Sequence, residues 1–196
     1  MTTLTKKYDD ICEIYINKLC NCITDFILNN NLPITPNMIS IFRIILAISL
    51  LCYTKNYKVI AIIYLICRVF DNLDGILARK GKMQSKIGDK LDHYGDYIET
   101  LILFIILYIN YKNKNIYYFI IPIILISYIS LIISCQQKDL NKEAENFDKK
   151  ESLKSISCIC PECLYNNTWI FRVFGYGTSI VLMTLFLLYI PKFNKI

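Results

Sequence analysis

Histidine is almost absent: His93 is the only one in 196 residues. No histidine cluster can therefore hold a transition metal, and any metal centre must rest on other donors. The nine cysteines do not form a second pair at zinc-finger spacing after Cys158, Cys160 and Cys163. Cys52 and Cys67 lie in apolar stretches, so no disulfide framework is expected. The run Ser157–Cys163 fits a zinc site with a fourth ligand, a loop re-entering a membrane edge, or lipidation. Behind the polar start Met1–Lys7 no apolar core of about 7–15 residues follows, so no cleavable signal peptide is expected. Charged residues make up only 19% of the chain, and nothing in their distribution calls for a nucleic-acid partner.

What is there is apolar sequence. Hydrophobic residues are 55% of the chain and the mean hydropathy is +0.39, too apolar for an ordinary soluble fold of one domain. Five stretches approach the length of about 20 residues that crosses a bilayer as helix: Asn37–Thr54, Lys58–Phe70 continuing toward Ala78, Tyr94–Asn110, Ile116–Ser134 and Thr168–Ile190. Ser155–Trp169 is an ambiguous sixth. The expected fold is all-α, a polytopic transmembrane helix bundle of five to six spans. Ahead of it, Cys12, Ile16, Leu19, Ile23, Phe26 and Ile27 recur at helical spacing, opposite Asp9, Asp10, Glu13, Asn17, Asn21 and Asp25. Such an amphipathic helix lies in the membrane interface or packs on the bundle. Residues 1–36 are thus read as an interfacial segment and 37–196 as a transmembrane catalytic domain, with a hydrophilic loop at about 136–155.

Charge sets the orientation. Arg79, Lys80, Lys82, Lys86 and Lys90 stand against Asp89 alone in one loop, whereas the opposite loops hold Lys55, Lys58, Lys112 and Lys114. The positive-inside rule places Arg79–Lys90 and the N-terminus in the cytoplasm. The stretch Gln136–Lys154 shares that side and balances five lysines with five acids, as a solvated loop does. The net charge of +6 mainly reflects this topology.

The chemistry concentrates between residues 71 and 96. Asp71 and Asp74 are three apart at the cytoplasmic end of the second span, on one helix face. Asp92 and Asp96 are four apart at the start of the third. A turn around Gly81 lets the two helices run antiparallel, so the four carboxylates can converge. Four acids at a membrane boundary are costly unless a cation lies among them. Oxygen donors alone favour Mg²⁺, with Mn²⁺ or Ca²⁺ as competitors. Two ions are expected, in the manner of two-metal displacement at phosphorus. Gly75 and Ala78 remove bulk where a large anionic group would approach, Gly88 shares the stripe of Asp92 and Asp96, and Arg79 offers a fork suited to phosphate.

The spacing D-x2-D-G-x2-A-R-x8-G-x3-D-x3-D resembles the signature of the CDP-alcohol phosphotransferases, and all eight positions match. At about 5% for each residue, chance produces such a match in fewer than roughly one chain in a million. Thr35–Arg43, TPNMISIFR, is also similar to the family's approach to its first helix. The resemblance implies a membrane enzyme of phospholipid synthesis that moves a phospho-alcohol group from a CDP-linked donor to an acceptor alcohol and releases CMP. At least one of the two substrates would be a lipid. It implies that Asp71, Asp74 and Asp92 ligate metal, that Asp96 combines metal binding with general-base work, and that Gly75, Ala78, Arg79 and Gly88 border the CDP moiety. The acceptor hydroxyl would attack the β-phosphorus in line. Asn37, Arg43, Arg68 and His93 are candidates for substrate or phosphate contacts. The two arginines could instead pair with the acids or snorkel, and His93 could orient Asp92 or simply sit at the interface. A homodimer is expected, with Gly175, Gly177 and Ser179 as a small-residue face for it. A membrane prenyltransferase and a cation transporter use similar acids. The first has a different acid spacing, and the second would place its acids near the bilayer midplane.

Overall fold

The computed structural model describes residues 10–111, 119–128, 131, 135 and 176–193. Among the described residues every regular element is a helix: α1 Ile11–Asn29, α2 Pro36–Ser49, α3 Tyr57–Lys80, α4 Lys86–Tyr111, a short apolar α5 Phe119–Tyr128 and α6 Tyr176–Phe193. A 3-10 turn, Leu50–Tyr53, continues α2. The described residues fall into two compact units. One comprises residues 15–111, 119–120 and 180–193; the other comprises residues 10–14, 121–128, 131, 135 and 176–179.

Local chemistry places each helix start in the larger unit. Thr35 caps α2, its Oγ1 accepting the Met38 N–H at 3.4 Å, and Pro36 fits the first helical position because its missing N–H would lack a partner anyway. Asn56 caps α3 through the Val59 N–H. Ser85 caps α4, accepting from the Gly88 N–H at 2.9 Å. At the end of α3 the turn expected at Gly81 forms, but the left-handed residue is Lys82, φ 54°, while Gly81 keeps φ −78°. The Gly81 N–H bonds to Leu77 O and the Met83 N–H to Ala78 O, closing the helix as a Schellman-type end with lysine where glycine is usual. At the far end of α4, Asn110 donates to Thr54 O just before α3, at 2.9 Å. The two helices therefore run in opposite directions, as the sequence predicts.

α2 is the centre of this unit. It packs extensively on both α3 and α4, which contact each other far less than either contacts α2. Phe42 of α2 meets Phe70 of α3 edge-on, ring centres 5.6 Å apart. Cys20 and Ile27 of α1 join Ile39, Leu73, Ile76 and Leu77 in one buried cluster. Each large apolar side chain buried there contributes about 1.5–3 kcal/mol. Burial pushes the Cys20 thiol up to about 11, so it is an inert packing group. Lys80 adds an exposed ion pair to Asp25 at 2.7 Å, worth at most about 1 kcal/mol.

Of the two readings of α1, the structure shows packing on the bundle. Its Ile16–Cys20–Ile23–Ile27 face packs on the cluster, while Ile11, Tyr15, Leu19 and Phe26 form a second apolar stripe that is exposed. In the smaller unit the Asp10 carboxylate accepts the Glu13 N–H at 2.7 Å and the Thr178 N–H at 2.5 Å. One buried acid thus caps the first turn of α1 and the first turn of α6. Gly177 closes onto the backbone of Cys12 and Glu13, and Ser179 is buried. Of the small residues expected to face a second copy, Gly177 packs within the chain and Ser179 is buried.

Pro36–Tyr53 is the one helix among the described residues that is long and apolar enough to cross a membrane. The second and third expected spans are the apolar parts of α3 and α4, longer helices that also carry charge. The fourth and fifth lie partly outside the described residues, and Arg172, Gly175, Gln136–Lys154 and the Cys158–Cys163 run lie wholly outside them. Cys135 is buried and disulfide-bonded, a single exception beside the expectation of no disulfide framework. Cys12, Cys20, Cys22, Cys52 and Cys67 are free.

Candidate active site

The acids gather where α2, α3 and α4 meet. Oxygens of Asp71, Asp74 and Asp92 lie within 4.8 Å of one another. Asp74 is buried, and its Oδ2 accepts a 2.6 Å hydrogen bond from Ser40 Oγ of α2. Asp71 and Asp92 are half-buried. Burial first, and the charge of Asp96 second, raise the Asp92 carboxyl above the usual carboxylate range. Three carboxylates this close repel unless a positive charge lies against them.

Arg43 supplies that charge from α2. It is 1% exposed. Its Nη1 pairs with Asp71 and lies 3.4 Å from Asp96, while its Nη2 donates to the Asp92 carbonyl at 2.8 Å and lies 3.4 Å from the Asp92 carboxylate. The alternative that Arg43 snorkels is therefore excluded; it pairs with the acids. Gly95 makes this possible, because a Cβ there would collide with the Arg43 guanidinium.

Asp96 joins these three through the arginines. It is held by Arg43 and by Arg68, whose Nη2 lies 3.0 Å away. Arg68 is held in turn by Glu99, a buried acid one turn beyond Asp96: its Nε donates to Oε1 at 3.1 Å and its Nη2 pairs with Oε2. All four aspartates predicted from the sequence are brought to one place, around Arg43.

The small residues sit as close approaches demand. A Cβ on Gly88 would stand 2.8 Å from Asn37 Oδ1 and 3.1 Å from Ser85 Oγ, so Asn37 lies over Gly88 rather than among the acids. Arg79 is exposed, and its guanidinium folds back so that a Cβ on Gly75 would stand 3.3 Å from Nη1. Ala78 is half-buried on the same helix. His93 is half-buried and makes no side-chain hydrogen bond among the described residues. Sequence reasoning missed Ser40, Gly95 and Glu99. Glu99 left a readable signal, an acid inside an apolar stretch at three residues from Asp96.

A Gly95→Ala protein is expected to lose about 1–3 kcal/mol of stability, the usual cost of overpacking, seen as a lowered thermal unfolding midpoint. A midpoint equal to wild type would mean that Arg43 does not occupy this position.

Chemically, three hard-oxygen ligands, a separate carboxylate and an exposed guanidinium form an arrangement suited to a divalent cation and a phosphate ester. A search of curated proteins gave no match. The family model for CDP-alcohol phosphatidyltransferase matches residues 33–190, which includes every residue of the acid cluster. With that match over most of its length, the chain belongs to the CDP-alcohol phosphatidyltransferase family, whose members are transferases of phosphorus-containing groups.

Proposed function

We propose that the protein is a multi-pass membrane phosphotransferase of phospholipid synthesis. It moves a phospho-alcohol group from a CDP-linked donor to an acceptor alcohol and releases CMP, and at least one of the two substrates is a lipid. The observation that carries this reading is the gathering of Asp71, Asp74 and Asp92 within 4.8 Å of one another, with Asp96 held beside them by Arg43 and Arg68. A cation-binding trio and a separate carboxylate are what in-line displacement at phosphorus needs.

The trio fits a divalent ion: its oxygens are close enough to share one, and a buried guanidinium already balances their charge. Asp71, Asp74 and Asp92 would hold the metal, with Asp96 shared. Mg²⁺ or Mn²⁺, bound there as a pair of ions, would supply Lewis-acid stabilisation of charge on the phosphoryl and leaving groups. The chain's own residues do the rest. Ser40 fixes the rotamer of Asp74 by its hydrogen bond. Asp96, 44% exposed, is open to an acceptor hydroxyl and takes its proton as the new bond to phosphorus forms. Arg79, also exposed, closes on the donor phosphates and holds the negative charge that develops toward CMP. Gly75 and Ala78 keep the surface beside it flat enough for the CDP moiety, and Gly88 lets α4 approach Asn37. Arg43 binds the acids, so a direct contact to substrate phosphate is left to Arg79.

Membrane association is supported by the apolar helix Pro36–Tyr53 and by the apolar parts of α3 to α6. The exposed stripe Ile11, Tyr15, Leu19 and Phe26 suits residues 1–36 to a place in the interface. The charge asymmetry supports an active site facing the cytoplasm. The exposed apolar faces of α4, including Leu101, Ile105 and Ile109, suit a homodimer in lipid.

Purified protein with Mg²⁺, a CDP-linked donor and a panel of acceptor alcohols should release CMP, and excess chelator should abolish the release. Asp96→Asn should lower kcat by about a hundredfold or more while donor binding changes little. A fully active Asp96→Asn protein refutes the assignment of the base. In a separate measurement, a thiol introduced by Ser85→Cys should be labelled from the cytoplasmic side only; labelling from the opposite compartment refutes the topology. Particle mass in nanodiscs should be that of two chains plus lipid, and an active particle with one chain removes the dimer.

A further inference from the structure

Glu99 is 1% exposed and lies within the apolar stretch Tyr94–Asn110. A carboxylate in such a place is expensive and calls for a partner and a purpose. Its partner is Arg68, engaged through two guanidinium nitrogens in the paired geometry of a carboxylate–guanidinium fork. Tyr64, one turn earlier on α3, lies beneath the same guanidinium at 5.9 Å. Arg68 is thus fixed from two sides, and the remaining reach of its Nη2 is toward Asp96 at 3.0 Å. Its Nη1 lies 3.8 Å from Asp71. The pair does not belong to the eight-position signature, and replacing it by apolar groups would ordinarily leave stability unchanged or improved.

We infer that Glu99 and Arg68 are positioning residues: Glu99 tethers the Arg68 guanidinium so that it steadies Asp96 without closing further onto Asp96 and Asp71. The inference rests on the reading of Asp71, Asp74, Asp92 and Asp96 as the metal centre. Charge decides how the tether works. Arg43 already balances part of the cluster. If Glu99 lost its charge, Arg68 would transfer its whole attraction to Asp96 and Asp71 and would compete with a divalent cation for their oxygens. With Glu99 ionised and in place, the second guanidinium is neutralised locally and the four aspartates keep their charge for the cation.

The test is Mn²⁺ binding, followed by electron paramagnetic resonance on the purified full chain, together with steady-state turnover. Glu99→Gln keeps the volume and removes the charge. It should weaken Mn²⁺ binding about tenfold or more, as loss of an outer-sphere partner does. The double variant Arg68→Gln/Glu99→Gln removes the competing guanidinium as well. Its Mn²⁺ affinity should return to within about threefold of wild type. Its kcat should stay about tenfold or more below wild type at unchanged donor KM, because Asp96 is no longer held. Wild-type affinity in Glu99→Gln, or full turnover in the double variant, overturns the inference. If Glu99→Gln does not fold, the split in the double variant between retained Mn²⁺ binding and lost turnover decides alone. A wild-type protein that binds no Mn²⁺ overturns the metal-centre reading itself, and the inference with it, a result distinct from any difference among variants.

Discussion

A single buried guanidinium holds the centre of this molecule together. Arg43 joins three helices at one point: it stands on α2, pairs with Asp71 of α3, and binds Asp92 and Asp96 of α4. Without it, α3 and α4 would bring like charges together through helices that scarcely touch each other. Removing one partner of a buried ionic cluster typically costs about 3–5 kcal/mol, because the charge left behind stays buried. Several small features exist because Arg43 does. Gly95 has no side chain so that α4 can close on the guanidinium, and Ser40, one turn before Arg43, restrains the remaining acid, Asp74. The fold and the site are here the same set of contacts.

That arrangement also explains how a cluster of acids can exist before any cation arrives. The aspartates are converged by protein charge, and a second guanidinium, Arg68, takes the excess on the side of Asp96. The positive groups differ in placement: Arg43 and Arg68 are buried beneath the acids, whereas Arg79 stands exposed beside them. Of the three arginines, Arg79 alone is exposed, and Asp92 and Asp96 are partly so. This difference separates the groups that preserve the site from those open to solvent.

Much of this was legible in the sequence. Helical spacing put Asp71 with Asp74 and Asp92 with Asp96, and the resemblance of Thr35–Arg43 to the family's approach to its first helix marked the start of α2. Periodicity in residues 8–30 predicted α1. Pairings across helices were not legible, because a guanidinium reaches several ångströms in any direction and spacing along the chain does not say where. The pairing of Arg43 with the acids stayed open beside snorkelling and phosphate binding for that reason. Glu99 was passed over because one acid scarcely changes the mean hydropathy of an apolar stretch. Ser40 and Gly95 are common residues whose importance lies in what they touch. The turn at Gly81 misled slightly: glycine is there, but the left-handed conformation falls on Lys82, since the hydrogen bonds that close the helix choose the position.

Asp10 carries a different kind of consequence. Its carboxylate reaches a backbone N–H three residues ahead and another 168 residues ahead. The first partner is made three residues after Asp10, and the second only when Thr178 has been added. During synthesis the first turn of α1 can therefore form early with its cap half used, one carboxylate oxygen still facing water. The bond to Thr178 cannot close until α6 has left the ribosome, and contacts so distant in sequence close slowly. The start of α1 thus reaches its final state only after α6 has been made.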